Sequence, residues 1–428
     1  MNTSLRWSRA ALPSGALLSA VALSAVALSA VALSACGAAS SGASGGGSSA
    51  SSTASATSGG ATSASGSASA ASSAASTPPT TTPTVTASAG GPVPSGFAAT
   101  SVTFVSPEEA FVLGTAPCAK APCTSILRTL DRGASWRGLP APVVLLGSAQ
   151  ADTAGPAVWG IRFADPEHGF VFGNGLWETS DGGEQWASAA SPGGSIESLE
   201  VIDDQVLALT AVCTANGGCA QTGTLMRRPL GGGGWQEVAR VTDPGAIATQ
   251  ARVAAVLDGN SVIVTANGGL STVAHAGPCA TVGVSAPAAV AVTGPDGLAL
   301  ECAGGAAAGS VEKTVYVSDD LGAHWNEAGS PGRGGDPDGL SAGSAAQLVA
   351  AAASGGSILY YSGDGGAQWS TAFSAGDGGL GFNDLGFTTP TDGVVVYGPV
   401  QSDDNAEGRP GRLLLTSNGG ASWQSVSY

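Results

Sequence analysis

Residues 179–186 read TSDGGEQW: a hydroxyl, a carboxylate two positions on, a pair of glycines and a closing tryptophan. Such a group of polar side chains suits either a reactive site or a turn, and its recurrence decides between them. TLDRGASW at 129–136 repeats the order with Thr129, Asp131, Gly133 and Trp136. The same order returns with Ser318, Asp320, Gly322 and Trp325, and again with Ser362, Asp364, Gly366 and Trp369. In 416–423, TSNGGASW, Thr416, Gly420 and Trp423 are kept while Asn418 replaces the acid. Chance would supply on the order of 0.01 such matches in a chain of this composition. Weaker copies fill the gaps: RPLGGGGW ends at Trp235 without the acid, and TANGGLST at 265–272 lacks the tryptophan.

A second element precedes several boxes. FVSPEEAFVLG from Phe104, FADPEHGFVFG from Phe163 and FTTPTDGVVVYG from Phe387 share a Pro-centred turn between two apolar runs. Pro, Asp and Gly there mark a tight reversal between short strands. Each unit thus reads strand, turn, strand, variable loop, strand, box, strand, which is one four-stranded propeller blade. Seven units over residues 93–428 average about 48 residues each, the length expected of a blade. The expectation is an all-β, seven-bladed propeller of antiparallel blades.

In such a ring the boxes point to different azimuths and cannot converge on one substrate. Asp181 and Gly183 of the opening stretch, with Thr179 and Trp186, are therefore read as turn and packing residues. The carboxylate accepts N–H bonds inside the turn, glycine permits positive φ, and the indole is buried between hairpins. Asn418 keeps the acceptor without the charge, which a turn tolerates and a general acid does not.

These repeats resemble the Asp-box, or bacterial-neuraminidase-repeat, propellers. Residues 161–186, IRFADPEHGFVFGNGLWETSDGGEQW, are especially similar to a repeat of the photosystem II assembly-factor-like propellers, a seven-bladed group that binds partner proteins. That resemblance implies the fold and a scaffold role. Sialidases share the box and supply the alternative, a glycoside hydrolase. Their chemistry needs an arginine triad, a Tyr–Glu nucleophile pair and an Asp acid, and their first arginine usually lies in R-I-P. This chain has only GIRF at Arg162.

The segment before the repeats differs in composition. Residues 1–92 carry no Asp or Glu, while the whole chain has 31 acids against 15 Lys and Arg. Arg6 and Arg9, the apolar run after them and a terminal L-S-A-C form an export leader over residues 1–35. The ending resembles a bacterial lipobox, which implies cleavage before Cys36 and its diacylation. Residues 36–92, rich in Ser, Ala, Gly and Thr, cannot bury enough apolar surface to offset ordering and are expected to be a disordered tether. The expected location is the outer face of the bacterial cytoplasmic membrane, lipid-anchored, with the propeller monomeric.

Six further cysteines are expected to pair as neighbours: Cys118 with Cys123, Cys213 with Cys219, and Cys279 with Cys302. No C-x-x-C and three histidines make zinc a poor alternative. The acidic balance, with no Lys/Arg cluster, excludes nucleic acid as an expected partner. No cofactor, metal ligand or catalytic set is expected. SDDNAEG at 402–408 fails calcium-loop spacing. Binding is assigned to the variable loops opposite the box turns, GTAPCAKAPCTS from Gly114, AVCTANGGCAQTG from Ala211, ECAGGAAAGSVEKT from Glu301 and YGPVQSDDNAEGRPGR from Tyr397, with Lys120, Asp403, Asp404 and Arg409 as contact candidates and a protein or glycan of the envelope as ligand.

Overall fold

The computed structural model describes residues 91–428 except 148–154, 214–218, 243–244, 268–269, 280–285, 308–309 and 399–410. Seven four-stranded sheets follow one another along the chain. Blade 1 spans 98–139, blade 2 145–188, blade 3 195–242, blade 4 247–276, blade 5 286–329, blade 6 336–378 and blade 7 382–425. Each innermost strand packs on the next, and that of blade 7 returns to blade 1. The chain is therefore a closed seven-bladed propeller, as the repeat predicts. The leader, Cys36 and the tether as far as residue 90 lie outside the described residues, whereas Gly91, assigned to the tether by composition, exchanges backbone bonds of 2.9 and 2.6 Å with Gly138 of blade 1.

The box has the same geometry in five blades. In blade 2 the Thr179 hydroxyl donates to Asp181 Oδ1 at 2.8 Å and accepts the Gly183 N–H at 3.0 Å, while Gln185 N–H donates to the same carboxylate oxygen at 2.9 Å. Asn418 reproduces this set, accepting from Thr416 at 2.9 Å and Ser422 N–H at 3.0 Å. An amide oxygen thus substitutes for a carboxylate bond for bond. The fourth and fifth box residues both adopt positive φ; in blade 2 these are Gly182 at 72° and Gly183 at 86°. That double left-handed step aims the fourth residue's N–H back at the Pro-centred turn. Gly182 donates to Glu167 O, Arg132 to Glu108 O and Gly419 to Thr391 O, at 2.8–2.9 Å. The two short turns of a blade are therefore clamped together on one face.

The box tryptophans bury to different extents. Trp186 is fully enclosed and edge-on to Phe163, whose ring stacks on Phe111 of blade 1. Removing an indole from water is worth on the order of 5 kcal/mol. The indoles of Trp136, Trp369 and Trp423 are half-buried and donate to the carbonyl of their own box glycine at 2.7–3.1 Å.

Three blades depart from the pattern. In blade 2 a single run, Gly169–Thr179, supplies both middle strands, and Leu145–Leu146 add a short parallel pairing beside Ala157–Phe163. In blade 3 Arg228 occupies the hydroxyl position of the acid-free box. Its guanidinium pairs with Glu178 of blade 2 and lies 4.9 Å from the Trp235 ring centre, replacing the box's internal bonds with a bridge to its neighbour. In blade 5 the stretch from Glu301, expected to be an exposed loop, is mostly strand, Leu298–Ala307 followed by Ser310–Ser318. Glu301 and Lys313 are buried, and the Lys313 ammonium donates to Gly334 O and Gly335 O at 3.0 and 2.7 Å and lies 5.9 Å from the Tyr360 ring centre of blade 6.

Side chains of the inner strands lock each blade to the next. Ser101 Oγ accepts Ile161 N–H at 3.0 Å, Arg162 pairs with Glu200 at 2.9 Å, and Asp338 accepts Phe382 N–H at 2.6 Å. Except where Leu145–Leu146 pair with Ala157 and Val158, the inward edges of the first strands have no sheet partner, so Ser101 and Asp338 satisfy backbone donors that burial would otherwise orphan. All strands of each blade come from consecutive sequence, and closure relies on packing rather than strand exchange. At the seam Asp384 accepts Val102 N–H at 2.6 Å, Ala99 N–H donates to Gly411 O at 2.9 Å, and Val394, Val396 and Leu413 join Phe97 and Val102 in one core.

Candidate functional site

The clamped turns leave one face of the ring short and uniform. The opposite face carries the middle hairpin loops and the blade-to-blade connections. In the centre of the ring Arg162, Glu200 and Asp384 are buried, Gln250 crosses from blade 4 to donate to Ala342 O of blade 6 at 3.1 Å, and a small cavity is lined by Gln250, Ala291, Ser341 and Phe387, among others. Burial pushes the Asp384 carboxyl up to about 8, with Arg162 opposing, and the group serves the seam.

Among the described residues, larger spaces lie off-axis: one of about 180 Å³ on the turn face, lined by Arg132, Asp392 and Ser422 among others, and a wider one on the loop face, where blades 6, 7 and 1 meet. A cleft of about 560 Å³ is lined by Phe97, Asp377, Leu380, Tyr397, Arg412 and Tyr428, among others. Three chain segments build it. The blade 6-to-7 connection brings Gly376–Leu380, the middle hairpin of blade 7 brings Tyr397 and Arg412 as cross-strand partners, and the chain end brings Val426–Tyr428 against Phe97.

Tyr397 is the fixed element. Its hydroxyl donates to Asp377 Oδ2 at 2.7 Å, and Ser357 Oγ and Gly379 N–H hold that carboxylate at 2.8 Å each. Its ring packs on Phe373 and Phe382 at 5.2 and 5.6 Å. Burial raises the Tyr397 phenol, and the bond to Asp377 raises it further. Burial also acts upward on Asp377, but the donated bonds, Tyr397's foremost, outweigh it and leave the carboxyl below its ordinary range. The Arg412 guanidinium lies 5.0 Å from the Tyr397 ring centre, within cation–π range. Arg412 is exposed and has no carboxylate partner among the described residues.

The sequence-derived candidates fall unevenly on this site. Lys120 is exposed in the loop closed by the Cys118–Cys123 disulfide, S–S 2.02 Å, and Pro117 of that loop borders Gly96 beside Phe97. Asp403, Asp404 and Arg409 lie outside the described residues, although the ends of their segment, Gly398 and Gly411, line the cleft. Cys279 and Cys302 are joined, S–S 2.01 Å. The backbones of Cys213 and Cys219 face each other across a strand pair, but their side chains are not among those described. Sequence reasoning missed Asp377, Phe97 and Tyr428. Tyr397 and Arg412 were visible only as the two ends of the variable stretch YGPVQSDDNAEGRPGR. Among the described residues no His/Cys/Asp/Glu group could hold a metal ion.

No protein-family model matches the chain, and no curated protein sequence matches it. Solved structures do. YCF48 bound to a D1 peptide is 17% identical with a TM-score of 0.50, covering 77% of this chain and 96% of that one. YCF48 from Cyanidioschyzon merolae is 15% identical with a TM-score of 0.52, covering 77% and 99%. A GH74 enzyme from Niastella koreensis is 11% identical, covers 80% of each chain and has a TM-score of 0.29. At these identities the YCF48 likeness is one of fold. The chain is a seven-bladed β-propeller of the same architecture as YCF48.

Proposed function

We propose that this protein is an envelope-anchored, non-catalytic scaffold that binds a segment of a partner polypeptide in the loop-face cleft. The observation that carries the reading is the cleft itself, walled by Phe97, Tyr397 and Tyr428, with Tyr397 held in place by its bond to Asp377, which Ser357 and Gly379 support. Preorganised apolar walls with a few polar groups are what a binding pocket requires. A propeller of like fold, YCF48, holds a D1 peptide, which favours a polypeptide over a glycan as the ligand class. The repeated turns are read as Asp-boxes, with structural rather than chemical roles. Cleavage before Cys36 and its acylation would tether the propeller to the outer face of the membrane through residues 36–92.

The rival reading, sialidase-type hydrolysis, draws support from the Tyr397–Asp377 pair at 2.7 Å. Its carboxylate-binding triad has no counterpart among the described lining residues of the cleft, which include one arginine, Arg412. The experiment is affinity capture from an envelope extract with the full chain and with Ser427→Trp, which fills the cleft, alongside a fluorogenic sialoside assay. We expect a polypeptide retained by the wild type and lost with Ser427→Trp, and no turnover. Equal capture by both proteins, or sialoside hydrolysis, would reject the proposal.

A further inference from the structure

The cleft has a local charge opposite to that of the molecule. The chain carries a formal net charge of −16, yet the charged group left unpaired among the cleft's described side chains is a cation. The cleft's acid, Asp377, is already engaged by Tyr397, Ser357 and Gly379. Arg412 therefore faces the cleft with its guanidinium supported on one side and open on the other.

The support is what makes this arginine more than a surface charge. Tyr397 and Arg412 are directly opposite on paired strands, so the ring sits under the guanidinium by register, not by chance of rotamer. The ring is fixed at its hydroxyl by Asp377 and at its face by Phe373 and Phe382. Fixing the planar fork in advance lowers the ordering cost when a carboxylate arrives, and the fork presents two parallel N–H groups to it. Elsewhere in its lining the cleft turns apolar at Phe97, whose ring meets Tyr428 at 5.1 Å.

Resting on the reading of the cleft as a peptide site, we infer that it selects a segment carrying an acidic side chain beside an apolar residue. The carboxylate pairs with Arg412 and the apolar group sits on Phe97 and Tyr428. At Gly376, where a Cβ would meet nothing within 4 Å, the wall leaves width for an extended main chain between the two.

The test is selection of a phage-displayed random dodecapeptide library on the full chain. Selected peptides are then titrated against wild type, Arg412→Gln and Arg412→Lys. We expect enrichment of Asp or Glu within two positions of Phe, Leu or Ile, and a loss of about tenfold or more in affinity with Arg412→Gln, the scale of one charge-assisted bidentate contact. Lysine should restore only part of it, because a point charge cannot reproduce the fork. Selected peptides without acidic enrichment, or equal binding by Arg412→Gln, would overturn this inference while leaving peptide binding in place. Failure to select any peptide would remove both. Arg412 is exposed at a strand end, so its replacement leaves the core untouched; matching thermal melts of the variants confirm this.

Discussion

Replacing Asp181 by asparagine and by alanine separates a turn clamp from a reactive acid. Asp181 Oδ1 accepts the Thr179 hydroxyl at 2.8 Å and the Gln185 N–H at 2.9 Å. Thr179 is buried and its oxygen in turn accepts Gly183 N–H at 3.0 Å, so alanine cuts one accepted bond, frees one hydroxyl and loosens a third contact. At about 1 kcal/mol net per hydrogen bond, alanine should cost about 2–3 kcal/mol. Asparagine retains the amide oxygen, and blade 7 already uses it with bonds of 2.9 and 3.0 Å. Its cost should stay under about 0.5 kcal/mol, the range of an innocuous surface change. Urea unfolding followed by tryptophan fluorescence measures both, with Asn418→Asp as the reverse control. Equal destabilisation by alanine and asparagine would refute the clamp, because charge rather than acceptor geometry would then be what the turn needs.

Three further outcomes follow from individual residues. Glu178→Ala should destabilise by about 3 kcal/mol, because it leaves the Arg228 guanidinium buried without its counter-charge; Glu178→Ala melting like wild type would deny that bridge its role in blade 3. Stability should also fall at both ends of the pH range. His324 and backbone bonds lower Asp320 to about 2, below its unfolded value, so its contribution is full above about pH 4 and disappears as pH falls through 2. Burial raises Asp384 and Glu301 to about 8, above their unfolded values, so their contribution is full at low pH and is lost as pH rises through 8. Melting temperature against pH should therefore decline between about pH 4 and about pH 8, where the unfolded carboxyls are ionised and the folded ones are not, and Asp384→Asn should flatten that limb; an unchanged limb would argue that Asp384 is ionised in the fold. Finally, metabolic labelling with an alkyne fatty acid should mark the wild type and not Cys36→Ser; equal labelling of both would reject the anchor.

The fold was readable because its determinants are local. Hydroxyl, acid, glycine and tryptophan lie within eight residues and recur at blade spacing, so a one-dimensional pattern encodes the clamp and the ring. Arg228 escaped notice because its partner, Glu178, is 50 residues away, and an arginine at the hydroxyl position reads as a degenerate box. The ring locks were equally hidden: Val102 and Asp384 are 282 residues apart and meet only when blade 7 reaches blade 1. The cleft shares that cause. Asp377, Arg412 and Phe97 belong to three segments whose proximity is a product of closure, and only the variability of the stretch beginning at Tyr397 hinted that binding belonged there. Glu301 misled the reading in the other direction, because a glycine- and alanine-rich stretch with charges looks like a loop when it is a strand pair in which Glu301 and Lys313 are buried.

Site-specific photocrosslinking in the intact cell compares the two faces directly. A benzophenone amino acid at Ser427 lies in the cleft, and one at Leu130, which is 58% exposed, lies in a box turn on the opposite face. Irradiation should attach a discrete polypeptide at Ser427 and none at Leu130. A polypeptide attached at Leu130 with none at Ser427 would contradict the assignment of binding to the loop face.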